Sequence, residues 1–150
     1  MNENIIKKIQ EQIIQLLPVD QQNRPGILLS DSCSEMSRLI GGRIKMSDKS
    51  NHILMMKGID VCGTKRAHDI LIVITSGNQI YIIDPTIWQF FPQAKSILVS
   101  VSSNIDNALG KIQTIYGGQW SKNEEIIEMS ANEEKKYLDI ISQNVHENLK

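Results

Sequence analysis

Apolar residues recur along this chain with two different periods, and the period changes twice. Near the start they recur every three or four residues, the spacing of one face of an α-helix. The apolar residues of this first predicted helix are Ile5, Ile6, Ile9, Ile13, Leu16 and Leu17. Pro18 ends this helix, and residues 20–25 are predicted to form a loop. A second helix is predicted from about Ser32 to Ile40, ending at Gly41-Gly42.

The middle of the chain is predicted to form three or four strands. One candidate is residues 52–61, interrupted at Gly58. The segment from His68 to Thr75 is apolar on both faces, which is typical of a central strand that is covered on both sides. Two further strands are predicted at residues 79–84 and 96–101.

The last third is predicted to be helical. Ser103 and Asp106 are candidate caps of a helix that ends at Gly117-Gly118. Ser130 and Glu133 have the spacing of a capping box and open the final helix. Helices first, an antiparallel sheet in the middle and helices last predict the α+β class.

Length, composition and net charge exclude some functions but point to none. The 150 residues are 41% hydrophobic and 22% charged, so we expect one domain spanning 1–150. A net charge of -1 gives no case for nucleic acid, and the longest apolar run, 70–74, is too short to cross a membrane. We expect no signal peptide, no membrane partner and folding in the cytoplasm. The two cysteines and three histidines lack chelating spacing, so neither a metal nor a cofactor is expected.

Cys33 is the first residue that suggests chemistry. Ser32 and Glu35 have capping-box spacing, which makes Ser32 the N-cap and Cys33 the first helical residue. The free N–H groups and the helix dipole then lower the pKa of the thiol, and the N–H groups of Ser32 and Cys33 become candidate oxyanion donors. The alternative is a half-buried cysteine without a reaction. A Cys33–Cys62 disulfide is disfavoured, and Cys62 is expected to be a small buried residue.

A thiolate nucleophile needs a base, and the base needs an orienting group. His68 opens the central strand and Asp84 ends the next one. With a three-residue loop at 76–78, residue 70 pairs with 84, and the two side chains become diagonal neighbours within about 7–8 Å. A two-residue loop would put them on opposite faces. Alternatively, His68 is only a polar residue at a strand start, and Asp84 only forms a turn before Pro85. His52 is a weaker candidate for the base.

At these residues the sequence resembles the papain-like and transglutaminase-like cysteine hydrolase superfamily. The segment HDILIVITSGNQIYIIDPTIWQF is similar to its histidine strand, turn and Asp-Pro-Thr strand, and SCSEMSRLIGGRI is similar to its nucleophile helix. The resemblance implies that Cys33 is the nucleophile, His68 the general base and acid, and Asp84 the group that orients the imidazole. Papain-like peptidases carry a glutamine shortly before the cysteine, whereas this chain has Ser30, Asp31 and Ser32 there, and Gln21 and Gln22 are alternatives further back.

The missing glutamine argues against a standard protease and leaves deamidase or transferase chemistry open. All three reactions pass through a thioacyl intermediate. Small members of the superfamily include bacterial toxins and effectors that deamidate a glutamine of a host protein, delivered without a cleaved signal. A protein substrate is therefore expected. Trp88 and Gln89 would reach the substrate cleft if the aromatic segment walls it, although packing in the core is the simpler interpretation. The rival hypothesis is a non-catalytic binding, immunity or adaptor module.

Overall fold

A computed structural model describes all residues, 1–150. Its centre is one antiparallel sheet with the strand order β4-β3-β2-β1-β5. The strands are β1 His52–Ile59, β2 His68–Ile74, β3 Ile80–Ile83, β4 Leu98–Ser102 and β5 Gln119–Ile126. The predicted central strand is confirmed, because β2 has a neighbour on each side and every residue from Ile70 to Val73 is fully buried.

Helices cover both faces of this sheet. They are α1 Glu3–Ile14, α2 Pro25–Leu28, α3 Cys33–Ser47, α4 Ile105–Tyr116 and α5 Ala131–Leu149. Three short 3-10 turns lie at Val19–Gln21, Val61–Gly63 and Ile87–Gln89. The larger core cluster joins one face of the sheet to α1, α3 and α5, and the smaller cluster joins the other face to α4. The α+β class is therefore confirmed. No helix has the length and apolar character needed to span a bilayer.

Side chains of β2 alternate between the two cores. Leu71 and Val73 belong to the cluster that contains α3, whereas Ile70 and Ile72 belong to the cluster that contains α4. Successive strand residues point to opposite faces, so a strand between two helical layers is apolar at every position. This alternation determines where the polar residues at the start of β2 point.

Helix α3 is longer than predicted. It continues through Gly41 and Gly42 to Ser47, so the predicted end at Ile40 is wrong. A Cβ atom at Gly41 would lie 3.1 Å from Ile126 Cγ1, and one at Gly42 would lie 2.8 Å from Met129 Sδ. The glycines allow the chain between β5 and α5 to pack closely against α3. A Gly-Gly pair that is needed for close packing therefore looks, in the sequence, like a pair that ends a helix.

Strand β5 was not predicted, since the last third was expected to be helical. Its side chains are mostly exposed and include Lys122, Glu124 and Glu125, so no alternation marks it. It pairs through its backbone with β1, with a bulge between Met55 and Met56. A charged strand at a sheet edge resists pairing with other chains, and such a strand carries little hydrophobic signal.

The remaining predicted ends are close to those observed. Helix α4 ends at Gly117 as predicted, but its N-cap is Asn104, whose side chain accepts from the Asn107 N–H. The predicted capping box of α5 is confirmed, because Ser130 and Glu133 each bind the other's backbone N–H. The predicted loop at 20–25 begins within a 3-10 turn.

Candidate active site

The hairpin between β2 and β3 has the register that joins His68 to Asp84. Leu71 pairs with Ile83, and the Thr75 N–H donates to the Gln79 carbonyl at 2.9 Å, which leaves a loop of residues 76–78. Of the two loop lengths left open by the sequence, the three-residue loop that the His68–Asp84 pairing requires is the one observed. His68 Nε2 lies 2.7 Å from Asp84 Oδ2, and both side chains are 0% exposed.

Asp84 is held by two further donors. The Tyr116 hydroxyl donates to the same Oδ2 at 2.6 Å, and the Thr86 N–H donates to Oδ1 at 3.2 Å. Burial, with the Asp84 charge second, raises the pKa of Tyr116, so its hydroxyl stays protonated and remains a donor. Tyr116 was missed from the sequence because its position fits the apolar face of α4.

These contacts determine the tautomer of His68. An ionised carboxylate only accepts hydrogen bonds, so Nε2 carries the proton that lies between His68 and Asp84. Nδ1 then carries the lone pair in the neutral ring. It is buried and has no hydrogen-bond partner. A buried polar atom without a partner requires an explanation, and an unprotonated imidazole nitrogen is the atom that a general base uses.

Aromatic rings surround the imidazole. Phe90 lies edge-on to it with ring centroids 4.9 Å apart, and the centroid of Tyr116 is 5.9 Å away. Trp120 in turn packs 5.4 Å from Tyr116. It lies over Gly58, the β1 partner of His68, where a Cβ atom would be 2.5 Å from the indole Cε2. The cluster therefore keeps the His68–Asp84 pair out of water.

Cys33 begins α3 as predicted, but the predicted capping box is absent. The Ser32 side chain makes no capping hydrogen bond. Instead Ser32 Oγ accepts from Asn144 Nδ2 of α5 at 3.2 Å. A contact with a helix distant in sequence has replaced the local cap, so the prediction is right about the helix start and wrong about the chemistry that caps it.

The Cys33 thiol is bonded to Asp69 and not to His68. Sγ donates to Asp69 Oδ2 at 3.3 Å. Asp69 points toward α3, like Leu71, whereas His68 points toward α4, where its ring packs against Tyr116. The structure thus brings the predicted base, His68, and its orienting group, Asp84, together. The thiol lies at the same end of β2, but it is bonded to Asp69, the residue next to His68.

The expected lowering of the Cys33 pKa is wrong. Burial and the adjacent Asp69 charge raise the pKa of the thiol from 9.0 to about 12. The helix N-terminus favours the thiolate, but loss of hydration and a carboxylate beside the sulfur outweigh it. Asp69 was missed from the sequence, although an acidic residue within an apolar central strand is a signal that could have identified it.

Of the two predicted oxyanion donors, the N–H groups of Ser32 and Cys33, only the second is free. The Ser32 N–H donates to the Leu29 carbonyl at 3.0 Å, so it is not available and that prediction is wrong. The N–H groups of Cys33, Ser34 and Glu35 have no acceptor, because the next helix bond runs from the Met36 N–H to the Ser32 carbonyl. The helix start therefore still offers donors beside the thiol.

The polar groups of the predicted substrate contacts are used within the fold. Trp88 Nε1 donates to the Ala94 carbonyl at 2.9 Å, and the indole is part of the larger core. Gln89 Nε2 donates to the carbonyls of Leu29, at 3.1 Å, and Ser30. The Gln89 amide nitrogen is therefore already used within the fold, and contact of Trp88 and Gln89 with substrate stays a prediction. Both residues form part of the wall of an open groove of about 570 Å³.

The other candidate residues lie away from this arrangement. His52 is exposed, with Nδ1 3.3 Å from Glu125 Oε1. Cys62 is half-buried, and burial raises its pKa. Both cysteines are free thiols. No three His, Cys, Asp or Glu side chains converge closely enough to hold a metal ion.

Comparison with known proteins gives no family for this chain. No protein-family model, no curated protein and no solved structure matches it. The fold and the site define an α+β chain with a buried His–Asp–Tyr cluster and a cysteine at the start of a neighbouring helix. A functional assignment rests on the geometry and chemistry of these residues.

Proposed function

We propose that this chain is a cysteine-dependent amide hydrolase that uses Cys33, His68 and Asp84. The observation that carries the proposal is the unpartnered Nδ1 of His68, in a ring whose other nitrogen is fixed on Asp84. The carboxylate orients the ring and stabilises the imidazolium that forms when Nδ1 takes a proton. Tyr116 keeps the carboxylate in place through its own hydrogen bond.

The reaction proceeds through a thioester. The Cys33 proton moves to His68 Nδ1, and the sulfur attacks the amide carbon of the substrate. The developing oxyanion accepts from free N–H groups at the start of α3, and the imidazolium returns the proton to the departing ammonia. Water then loses a proton to Nδ1, attacks the thioester and releases a carboxylate and the thiol. A glutamine side chain and water give glutamate and ammonia.

This sequence requires Cys33 to leave Asp69. The thiol is stored as a hydrogen-bonded donor to Oδ2, and its pKa of about 12 keeps it protonated at neutral pH. For turnover the sulfur has to leave Asp69 on the α3 face of β2 and reach the unpartnered Nδ1 of His68, whose ring lies on the α4 face, so the proposal requires this end of β2 to rearrange. Asp69 therefore acts as a brake on the nucleophile in this proposal.

Two features favour the glutamine side chain of a protein over a peptide bond. The chain has Ser30 and Asp31 where papain-like peptidases have the glutamine that completes their oxyanion hole. The groove beside the site is open to solvent at its surface, as binding to a folded protein requires. We therefore propose protein-glutamine deamidation, the activity of toxins and effectors of the superfamily that the chain resembles. Transamidation and proteolysis are the alternative outcomes of the same thioester.

The test is ammonia release from a glutamine-containing protein, with hydroxylamine added in a parallel reaction. A thioester transfers its acyl group to hydroxylamine and gives a hydroxamate. We expect both products from the wild-type chain and neither from Cys33→Ser or His68→Gln, whereas Cys62→Ser should retain both activities. Ammonia release by Cys33→Ser at the wild-type rate would overturn the proposal.

A non-catalytic binding module is the second candidate, and one observation favours it. The hydrogen bond to Asp69 and the raised pKa describe a thiol at rest, which needs no reaction to explain it. On this account the His68–Asp84–Tyr116 cluster only stabilises the sheet end. Wild-type protein that neither releases ammonia nor forms hydroxamate would favour this candidate.

A further inference from the structure

The groove beside the candidate site carries positive charge without a partner. Arginine occurs at four positions in the chain. Arg38 and Arg43 are paired, with Glu124 at 2.8 Å and Glu134 at 3.0 Å. Arg24 and Arg66 form no ion pair.

Both unpaired arginines line the same groove, which lies between α2 and the segment after β3. They are its only charged lining residues, and the rest of the wall is uncharged, with polar side chains such as Ser30 and Gln93 and two apolar ones, Ile27 and Trp88. A groove of about 570 Å³ with two cations and no anion is complementary to an acidic ligand.

Hydrogen bonds and close packing join the walls of the groove. Gln89 Nε2 binds the Leu29 and Ser30 carbonyls and so ties the Ile87–Gln89 turn to the segment that leads to Cys33. At Gly26 a Cβ atom would collide with the Trp88 carbonyl, so α2 lies directly against this turn. A groove formed in advance binds a ligand without the cost of ordering its own backbone.

Arg66 connects the groove to the imidazole. Its guanidinium carbon lies 4.8 Å from the centroid of the Phe90 ring, and that ring packs 4.9 Å from His68. The cation–π contact orients an otherwise exposed side chain. An acidic group bound at Arg66 would therefore lie one aromatic ring from the general base.

We propose that this groove binds an acidic segment of the protein substrate, with Arg24 and Arg66 contacting its carboxylates. The segment would be rich in Asp or Glu and would flank the amide presented to Cys33. Guanidinium groups suit this task because they bind carboxylates through two parallel hydrogen bonds. That the bound segment is substrate rests on the proposed function, whereas its binding can be measured without turnover.

The test is fluorescence anisotropy with the full chain carrying Cys33→Ser, so that no probe is consumed. The probe is a labelled peptide with one glutamine followed by a run of glutamates, and its control has glutamines in place of the glutamates. We expect the acidic peptide to bind at least about tenfold more tightly at low salt, with the difference shrinking as salt is added.

Variants locate the interaction. Arg24→Gln and Arg66→Gln should each weaken binding of the acidic peptide by about three- to tenfold. Arg66→Lys should recover part of that loss, since it restores the charge without the bidentate geometry. The matched control is Lys136→Gln, which removes a charge that is also exposed, from α5 and outside the groove, and should change binding by less than about twofold.

Three results would overturn the proposal: equal affinity for both peptides, an equal loss in Lys136→Gln, or competition by an oligonucleotide of similar charge at equal affinity. Binding is measured in the Cys33→Ser background and ammonia release with Cys33 intact, so the two measurements separate this proposal from the proposed function. If the acidic peptide binds through Arg24 and Arg66 but no ammonia is released, the proposed binding groove is supported and the proposed hydrolase function is contradicted. Ammonia release from an acidic substrate that both arginine variants leave unchanged would sustain the hydrolase and refute the groove.

Discussion

The Cys33–Asp69 hydrogen bond gives the sharpest quantitative prediction, through the substitution Asp69→Asn. The change removes a negative charge whose oxygen lies 3.3 Å from the sulfur and leaves an amide oxygen that still accepts from the thiol. Asparagine has nearly the same volume, so the packing between β2 and α3 is kept. The variant therefore isolates the effect of the charge on the thiol.

The magnitude follows from the raised pKa. The rise from 9.0 to about 12 corresponds to about 4 kcal/mol, and burial is its largest cause. A bare Coulomb interaction at 3.3 Å gives about 5 kcal/mol at an effective dielectric of 20, which is an upper bound. Since burial already accounts for the largest part, we assign about 1.4 kcal/mol to the Asp69 charge, which is about tenfold in thiolate fraction.

The assay is the rate of iodoacetamide alkylation of Cys33 at pH 8, in a Cys62→Ser background that leaves a single thiol. Asp69→Asn should raise the rate about tenfold, because the thiolate is the reacting form. Asp31→Asn, which removes an exposed charge close to the cysteine in sequence, should change it by less than about twofold. An unchanged or lower rate in Asp69→Asn would refute the account of Asp69 as a brake, provided that thermal unfolding shows a folded variant.

Three further predictions concern stability, measured by chemical unfolding. Asp84→Asn should lower the free energy of unfolding by about 2–4 kcal/mol, because it removes the charged acceptor of two buried donors; a loss below about 1 kcal/mol would contradict this role of the buried carboxylate. Gly58→Ala should cost about 1–3 kcal/mol, since its methyl group would lie 2.5 Å from an indole carbon, whereas Gly110→Ala, with open space around it, should cost nothing; equal effects would be inconsistent with this packing. Stability should also fall above pH 9: the folded-state pKa of Cys33 is raised, so its contribution is complete below about pH 9 and is lost as the pH rises toward 12, by about 3 kcal/mol at pH 11. Cys33→Ala should remove that part of the slope, and an unchanged slope would count against the raised pKa.

Local patterns predicted the centre of the fold well. The apolar run of β2 and the loop at 76–78 determine the hairpin register, and that register brings His68 beside Asp84. A capping box correctly predicted the start of α5, whereas α3 begins at the predicted residue without the predicted cap. These features depend on residues close in sequence or on alternation along one strand, which a single sequence displays directly.

Long-range contacts explain what the sequence did not reveal. Gly41 and Gly42 have the signal of a helix end, and only their packing against Ile126 and Met129 shows why the helix continues. Strand β5 pairs through its backbone, so its side chains carry no pattern.

The candidate site shows the same limit. Tyr116 reaches Asp84 from α4, and Asp69 reaches Cys33 across the sheet–helix interface, at sequence separations that no periodicity reports. The position of Cys33 at a helix start correctly predicted a free N–H group at Cys33, but not at Ser32. The raised pKa depends on burial and on a carboxylate that only the folded chain places there.

The most direct test of the central claim is the mass of a glutamine-containing protein after incubation with this chain in water enriched in oxygen-18. Hydrolysis of a thioester by that water should add about three daltons per converted glutamine, against about one dalton in ordinary water. We predict this gain with the wild-type chain and no gain with Cys33→Ser. An unchanged mass with the wild-type chain, or the same gain with Cys33→Ser, would contradict the assignment of Cys33, His68 and Asp84 as an amide-hydrolysing site.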